Sequence, residues 1–293
     1  MTTTPKKLTG KNANSGFGKA KPIRGIFRIA AIQMASGPVV EGNIAEADRL
    51  IETAAVQGAS LVALPEHWAL MGNKDTDKVA AREKPGIGPI QDFLASAAKR
   101  HKIWIIAGSI PIEASVADKV RNTSLLYDDQ GKCVARYDKI HLFGLDMKQE
   151  KFNESKTIEP GDKVVVVDTP FGKLGMSICY DLRFPELYRA MKQVDIIAVP
   201  SAFTETTGRA HWEALIRARA IENIAYVIAP AQGGYHRSGR ETHGDTMIVD
   251  PWGVVMDRLS RGSGIVIAGM NPSYQASLRK SLPALGHRTI VRI

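Results

Sequence analysis

Cysteine is scarce in this chain: Cys133 and Cys179 are the only two in 293 residues. That scarcity argues against a disulfide framework and points to a reducing, cytoplasmic setting. No apolar run reaches the roughly 18–20 residues that a membrane span needs, so no membrane partner is expected. There is no Cys-x-x-Cys pair and no His-Glu-x-x-His run to suggest a zinc site. Acidic residues are missing altogether from residues 1–24, which carry Lys6, Lys7, Lys11, Lys19, Lys21 and Arg24. Most of the net charge of +9 therefore belongs to one Gly/Ser/Asn/Lys-rich segment without a hydrophobic stripe. Composition predicts a disordered basic extension over 1–24. It lacks the apolar stretch of a secretory signal, and it has lysine where transit peptides favour arginine. The remaining chain is nearly balanced in charge and has no interleaved basic and aromatic RNA-binding motif, so no nucleic-acid partner is expected.

From residue 25 onward a regular pattern sets in. Short apolar runs predict strands at 26–34, 60–68, 103–109, 194–203 and 224–232. Helical spacing appears at 43–58, 90–102, 185–193 and 209–223, with Gly58 as a stop signal. Hairpins are expected over 122–139, 163–179 and 245–259. Strands alternating with helices, interrupted by hairpins, imply an α/β fold of mixed sheets covered by helices, in one domain spanning 25–293. "GASLVALPEHW" and "QVDIIAVPSAF" echo each other: each follows a helix and runs apolar residues into a proline. This hints at two related α/β halves.

The stretch "MSICYDLRFPE" (176–186) carries the chemistry. It places Cys179 at the exit of a buried strand, just before the start of a helix. In open α/β sheets, ligands bind at the carboxyl ends of the strands. Backbone N–H groups there, starting with that of Tyr180, are free to face an oxyanion. Ser177 is a poor nucleophile candidate, because "GMSIC" has cysteine where G-x-S-x-G needs its last glycine. Cys133 alternates with Lys132 and Val134 in a hairpin strand and reads as structural.

A thiol nucleophile needs a base. His141, His211 and His243 lie near the motifs. Glu66, at the end of the strand before "PEHW", is the alternative: a solvated loop carboxylate, or a base if its strand and that of Cys179 are both central. Lys139 ends a hairpin; it is either solvent-facing or a buried cation suited to an oxyanion.

Taken together and in order, "LPEHW", "YDKIHLF" and "ICYDLRFPE" resemble the nitrilase superfamily of carbon–nitrogen hydrolases, across about residues 26–290. "FNESKTIEPGD", "AHWEALIRARAIEN", "YVIAPAQGG" and "GDTMIVDPWG" extend the likeness. The resemblance implies an α-β-β-α sandwich and a Glu–Lys–Cys triad. Glu66 then matches the general base, Lys139 the catalytic lysine and Cys179 the nucleophile. Glu154 matches a second glutamate that holds the lysine and positions substrate. It implies amide hydrolysis through a thioester, with no metal or organic cofactor.

Tyr180-Asp181 stands where nitrile-cleaving members usually carry Trp-Glu, which resembles the amidase branches. The segments after Cys179 are most similar to the deaminated glutathione amidase group, with the omega-amidases that cleave 2-oxoglutaramate as the alternative; carbamoylase chemistry is a third. Both favoured substrates are amides of a small 2-oxo dicarboxylic acid. Arg183 would clamp a carboxylate, or else pair structurally with Asp181 or Glu186. Phe203, Thr204, Thr207 and Tyr235 lie in stretches suited to line a pocket. The family likeness implies a homodimer or higher homo-oligomer, and the apolar C-terminal stretch 271–290 is expected to cross to a partner subunit.

Overall fold

The computed structural model describes residues 25–147 and 151–290, so the expected extension over 1–24 lies outside the described residues. β1 (Phe27–Gln33) leads through α1 (Val40–Val56) to β2 (Ala59–Ala63). α2 (Asp77–Ala80) and α3 (Pro89–His101) follow, then β3 (Trp104–Ile106), β4 (Ile110–Glu113), β5 (Val120–Tyr127) and β6 (Cys133–Asp138). After a small ribbon of β7 (Gly144–Asp146) and β8 (Lys151–Asn153) come β9 (Val166–Thr169) and β10 (Gly172–Met176). α4 (Pro185–Ala190), β11 (Ile196–Ala198), α5 (Glu205–Asn223) and β12 (Tyr226–Ala229) continue the second half. A second ribbon, β13 (Gly233–Tyr235) and β14 (Glu241–His243), precedes β15 (Thr246–Val249), β16 (Val255–Leu259), β17 (Gly264–Met270) and α6 (Pro272–Ser281).

Among the described residues the strands form two large sheets. One runs β17-β1-β2-β3-β5, with β4 and β6 also paired to β5; the other runs β16-β15-β12-β11-β10-β9. Each has a parallel trio at its centre, β1-β2-β3 and β10-β11-β12, flanked by antiparallel strands. The two echoed segments are β2 and β11, the middle strand of each trio.

Alternation on β1 explains the layers. Ile29 and Ala31 belong to the core shared with the second sheet, together with Leu174, Met176 and Tyr226. Ala30 and Ile32 point the other way, into a separate core with Leu50 and Ile51 of α1 and Leu94 of α3. Trp212 and Ile216 of α5 cover the second sheet. Helix, sheet, sheet and helix are thus stacked in an α-β-β-α sandwich. No helix among the described residues is long and apolar enough to cross a membrane.

One departure from the sequence reading matters. β17 was not anticipated, because "GIVIAGM" is short and rich in small residues; it pairs with the whole of β1, from Phe27 opposite Met270 to Gln33 opposite Gly264. Within the chain, α6 is anchored locally: Gln275 donates to the carbonyls of Asp195 and Ile224, and Arg279 pairs with Asp195 at 2.6 Å.

One glycine is demanded by close approach. Gly108 sits at φ +59°, and a β-carbon there would lie 2.1 Å from the Pro65 carbonyl oxygen. The Leu64–Pro65 backbone leading to Glu66 therefore runs directly against it. Gly239, at φ +83° with nothing within 4 Å, is the matched control. Gly108→Ala is expected to lower unfolding free energy by more than ~2 kcal/mol, while Gly239→Ala costs only about 1 kcal/mol. Chemical denaturation of both variants checks this; equal losses would mean that the close approach carries no weight.

Candidate active site

The carboxyl ends of the parallel strands converge on one place. Glu66 follows β2, the middle of the first trio. Cys179 follows β10, an outer strand of the second trio, so the two do not hold matching positions. The middle strand of the second trio leads instead to Ser201 and Ala202, whose backbone lies beside the Cys179 sulfur. After β12, Gln232 donates to the Glu66 carbonyl at 3.1 Å and to Ser36 Oγ, just past β1, at 2.9 Å.

Cys179 is held in an unusual backbone state. Its φ is +49°, in the left-handed region that residues with a β-carbon rarely occupy, at a cost of about 1–3 kcal/mol. Its N–H donates to the Pro200 carbonyl at 2.9 Å. It opens a 3₁₀ turn (Cys179–Arg183), in which the first N–H groups have no partner within the turn. The sharp reversal from β10 sets the thiol in the interior, where the residue is only 6% exposed.

Glu66 faces that thiol. The Cys179 thiol and the Glu66 carboxylate are close enough to perturb one another's titration. Glu66 Oε1 accepts from Lys139 Nζ at 2.8 Å and from Asn122 Nδ2 at 2.9 Å. Lys139 Nζ reaches both oxygens of Glu154, at 3.0 and 2.9 Å. The lysine is 1% exposed although it follows an edge strand. The backbone explains its burial: the Lys139 N–H donates to the Asn122 carbonyl at 2.9 Å, and its carbonyl accepts from the Gly161 N–H at 2.8 Å. A β-carbon on Gly161 would lie 2.2 Å from the Asp138 carbonyl oxygen, so the Pro160-Gly161 step is shaped to close over the end of β6. Glu154 is fixed by the Phe143 N–H, which donates to its Oε2 at 2.7 Å.

Charge states follow from these contacts. Burial pushes the Glu66 carboxyl up, but the Lys139 ammonium and its hydrogen bonds outweigh burial and hold it below its ordinary value. Burial also pulls the Lys139 ammonium down; the charges of Glu154 and Glu66 overcome this and raise it. Burial, reinforced by the charge of Glu66, pushes the Cys179 thiol well above its ordinary value. The resting site is an ionised Glu66 beside a protonated thiol.

Glu66, His67 and Glu154 have donor atoms within 4.8 Å of one another, a set that can ligate metals. The Lys139 ammonium, however, already sits between the two carboxylates, and burial holds His67 well below its ordinary pKa. These residues do not fit a resident cation.

Of the three histidines considered as bases, none is placed on the thiol. His141 pairs with Asp181 at 2.7 Å and stacks on Phe184, His211 contacts Arg183 at 3.3 Å, and His243 pairs with Glu205 at 3.1 Å. Arg183 has no carboxylate partner among the described residues. Its guanidinium lies over the rings of Tyr180 and Phe203, at 5.8 and 5.4 Å, so the expected pairing with Asp181 or Glu186 is not formed. Phe203 is buried against Trp212. Thr204 and Thr207 are tied to each other at the start of α5, hydroxyl to hydroxyl at 2.9 Å. Tyr235 is 75% exposed beneath Arg261, away from a buried lining role.

Sequence reasoning missed Asp181. This wholly buried carboxylate accepts four hydrogen bonds: from Tyr137 Oη at 2.6 Å, the Ile178 N–H at 2.9 Å, the His141 N–H at 3.0 Å and His141 Nδ1 at 2.7 Å. Tyr137 and His141 flank Lys139; Ile178 precedes Cys179. Asp181 thus braces the lysine segment to the cysteine turn. Asp181→Asn replaces one acceptor oxygen by a donor and must break part of this set. Its kcat is expected to fall about 10²-fold with KM little changed, because small misplacement of reacting groups is that costly. Steady-state kinetics on folded protein check this; an unchanged kcat would refute the brace.

Known proteins resemble this chain over most of its length. Residues 28–280 match the family described as carbon-nitrogen hydrolase. A deaminated glutathione amidase of Synechocystis sp. is 44% identical over 271 residues, covering 90% of this chain and 99% of that protein. The Xenopus laevis omega-amidase NIT2-B is 36% identical over 261 residues, covering 88% and 93%. Saccharomyces cerevisiae Nit3, described as a member of branch 10 of the nitrilase superfamily, superposes with a TM-score of 0.83 at 30% identity, covering 93% of this chain and all of that one.

Proposed function

The chain belongs to the carbon–nitrogen hydrolase family, and from that premise we propose that it is a cysteine-dependent amidase acting on an amide of a small 2-oxo dicarboxylic acid, deaminated glutathione first. The observation that carries this reading is the Lys139 ammonium held between Glu66 and Glu154, beside the buried thiol of Cys179.

In this mechanism Cys179 attacks the amide carbonyl carbon as its proton passes to Glu66. The tetrahedral oxyanion lies between the Lys139 ammonium and the Tyr180 backbone N–H. Glu66 returns the proton to the leaving nitrogen as the C–N bond breaks, and a thioester remains. Glu66 then takes a proton from water, which attacks the thioester; the acid product leaves and the thiol is restored. Glu154 holds the ammonium in place. Arg183, free of any acid partner and stacked on Tyr180 and Phe203, takes the carboxylate of the 2-oxo acid end.

The resemblance to the Synechocystis relative supports deaminated glutathione as substrate. The likeness to the omega-amidase keeps 2-oxoglutaramate as the second reading, since an Arg183 clamp serves either acid end. A cytoplasmic homodimer belongs to the same reading. It is supported by the free thiol of exposed Cys133 and by the exposed apolar side chains of Trp252, Val254 and Met256 at the β16 edge.

Offering both substrates together and following products by mass spectrometry tests the assignment. Cysteinylglycine is expected to appear first, and Cys179→Ala is expected to be folded and inactive. Preferential loss of 2-oxoglutaramate would make the protein an omega-amidase; turnover by Cys179→Ala would end the mechanism.

The charge states also set a pH profile. Glu66 is ionised down to below its ordinary value of 4.5, and the thiol keeps its proton past its ordinary 9.0. We expect kcat/KM to be flat from about pH 5.5 to 8.5 and to fall only as acid protonates Glu66. The stability that Glu66 gains from Lys139 is likewise complete above the unfolded pKa and lost as pH falls through the lower folded one. A rise in kcat/KM centred on the ordinary thiol range, about pH 8.5, would show that a free thiolate, not the Glu66–thiol pair, attacks.

A further inference from the structure

Two further cations, Arg240 and Lys78, stand near the triad with little acid to neutralise them. Arg240 lies over the Phe152 ring at 5.2 Å and donates through one terminal nitrogen to the Ala202 carbonyl at 2.6 Å. Its Nε is buried and has no hydrogen-bond partner, and it has no carboxylate partner among the described residues. Lys78, on α2, has a side chain only 19% exposed; its Nζ reaches Thr157 Oγ1 at 3.5 Å, and its nearest acid, the largely exposed Asp75, is 4.0 Å away.

These two groups contact residues on either side of Glu154: Arg240 lies over Phe152, and Lys78 reaches Thr157. The charge of Arg240 is felt by Glu66, His67 and Lys78, and that of Lys78 by His67. Burial pulls the Lys78 ammonium below its ordinary pKa; Asp75 and Glu154 oppose this, while Arg240 and Lys139 add to it. Buried Glu66 and half-buried Glu154 pair with Lys139, and Lys78 has Asp75 at its rim, which leaves Arg240 as the cation without an acid among the described residues. An unpaired guanidinium nitrogen away from water is a costly arrangement unless a ligand completes it.

We infer that Arg240 and Lys78 form an anion subsite for a carboxylate carried by the leaving group of the substrate. This rests on the amidase reading above and deepens it. Glu66 hands its proton to the departing nitrogen, so cations gathered about Glu66 lie on the side where the leaving group sits. Arg183, over Tyr180 and Phe203, is then the acyl-side cation. A substrate that satisfies both has a carboxylate on each side of its scissile amide. Cysteinylglycine as leaving group supplies the second carboxylate; ammonia supplies none.

The test compares deaminated glutathione with its C-terminal carboxamide, which differs only in that charge. Wild-type protein is expected to prefer the carboxylate form at least 10-fold in kcat/KM, and Arg240→Gln or Lys78→Gln to bring the ratio close to one. A ratio near one in wild type, or an unaltered ratio in both variants, overturns the subsite while leaving the amidase reading intact. Calorimetric titration with cysteinylglycine and with cysteinylglycinamide gives a readout that needs no turnover. Carboxylate-dependent binding that Arg240→Gln weakens about 10-fold supports the subsite even where deaminated glutathione is not cleaved. Equal binding of the two probes, or none, in a protein that also fails to discriminate the two amides overturns it.

Discussion

An ammonium ion placed away from water must be paired, and in this protein that requirement organises the centre of the molecule. Lys139 is held between Glu66 and Glu154 with no solvent to share the charge. Removing one partner of such an arrangement costs about 3–5 kcal/mol, because the remaining charge is stranded. The surrounding backbone is arranged to prevent that. Gly161 closes over the end of β6, the Phe143 N–H fixes Glu154, and Asn122 bonds to both the lysine backbone and the Glu66 side chain. The same ammonium that stabilises two buried carboxylates is the group placed to meet an oxyanion.

The pairing also decides how the thiol is kept. A cysteine activated as a thiolate needs a net positive setting. Here the nearest charge is the Glu66 carboxylate, and it pushes the thiol the other way. The proton stays on a thiol held high, beside a carboxylate held low. In the proposed cycle that proton moves only when an electrophilic carbonyl is present to accept the sulfur. The strained turn at Cys179, braced by Asp181 to the two residues flanking Lys139, keeps donor and acceptor in register without relying on a mobile loop.

Much of this was legible in the sequence where local pattern and position suffice. The strands leading to Pro65 and to Cys179 read as buried apolar runs, and the segments carrying Glu66, Lys139, Glu154 and Cys179 stood out by motif; the structure brings these four side chains together. What the sequence concealed depends on long-range packing. β17 is composed of small residues and acquires its identity only by pairing with β1. Asp181 read as one polar residue in a turn, because its four donors come from segments about 40 residues apart as well as from its own turn. Lys78 sits in a stretch with no family motif, and nothing in the stretch around Arg240 marks it out from the other basic residues; their common setting around Glu154 exists only in the folded chain. The hydroxyl contact between Thr207 and Thr204 at the start of α5 is a local interaction that spacing alone did not reveal.

A thiol that holds its proton this firmly has a chemical reputation different from that of most catalytic cysteines. Peroxides and alkylating agents react with thiolates, and the first steps of the cysteine oxidation ladder are slow for a buried, neutral sulfhydryl. By that reasoning the resting sulfur of Cys179, kept neutral by burial and by the charge of Glu66, offers oxidants little thiolate to attack.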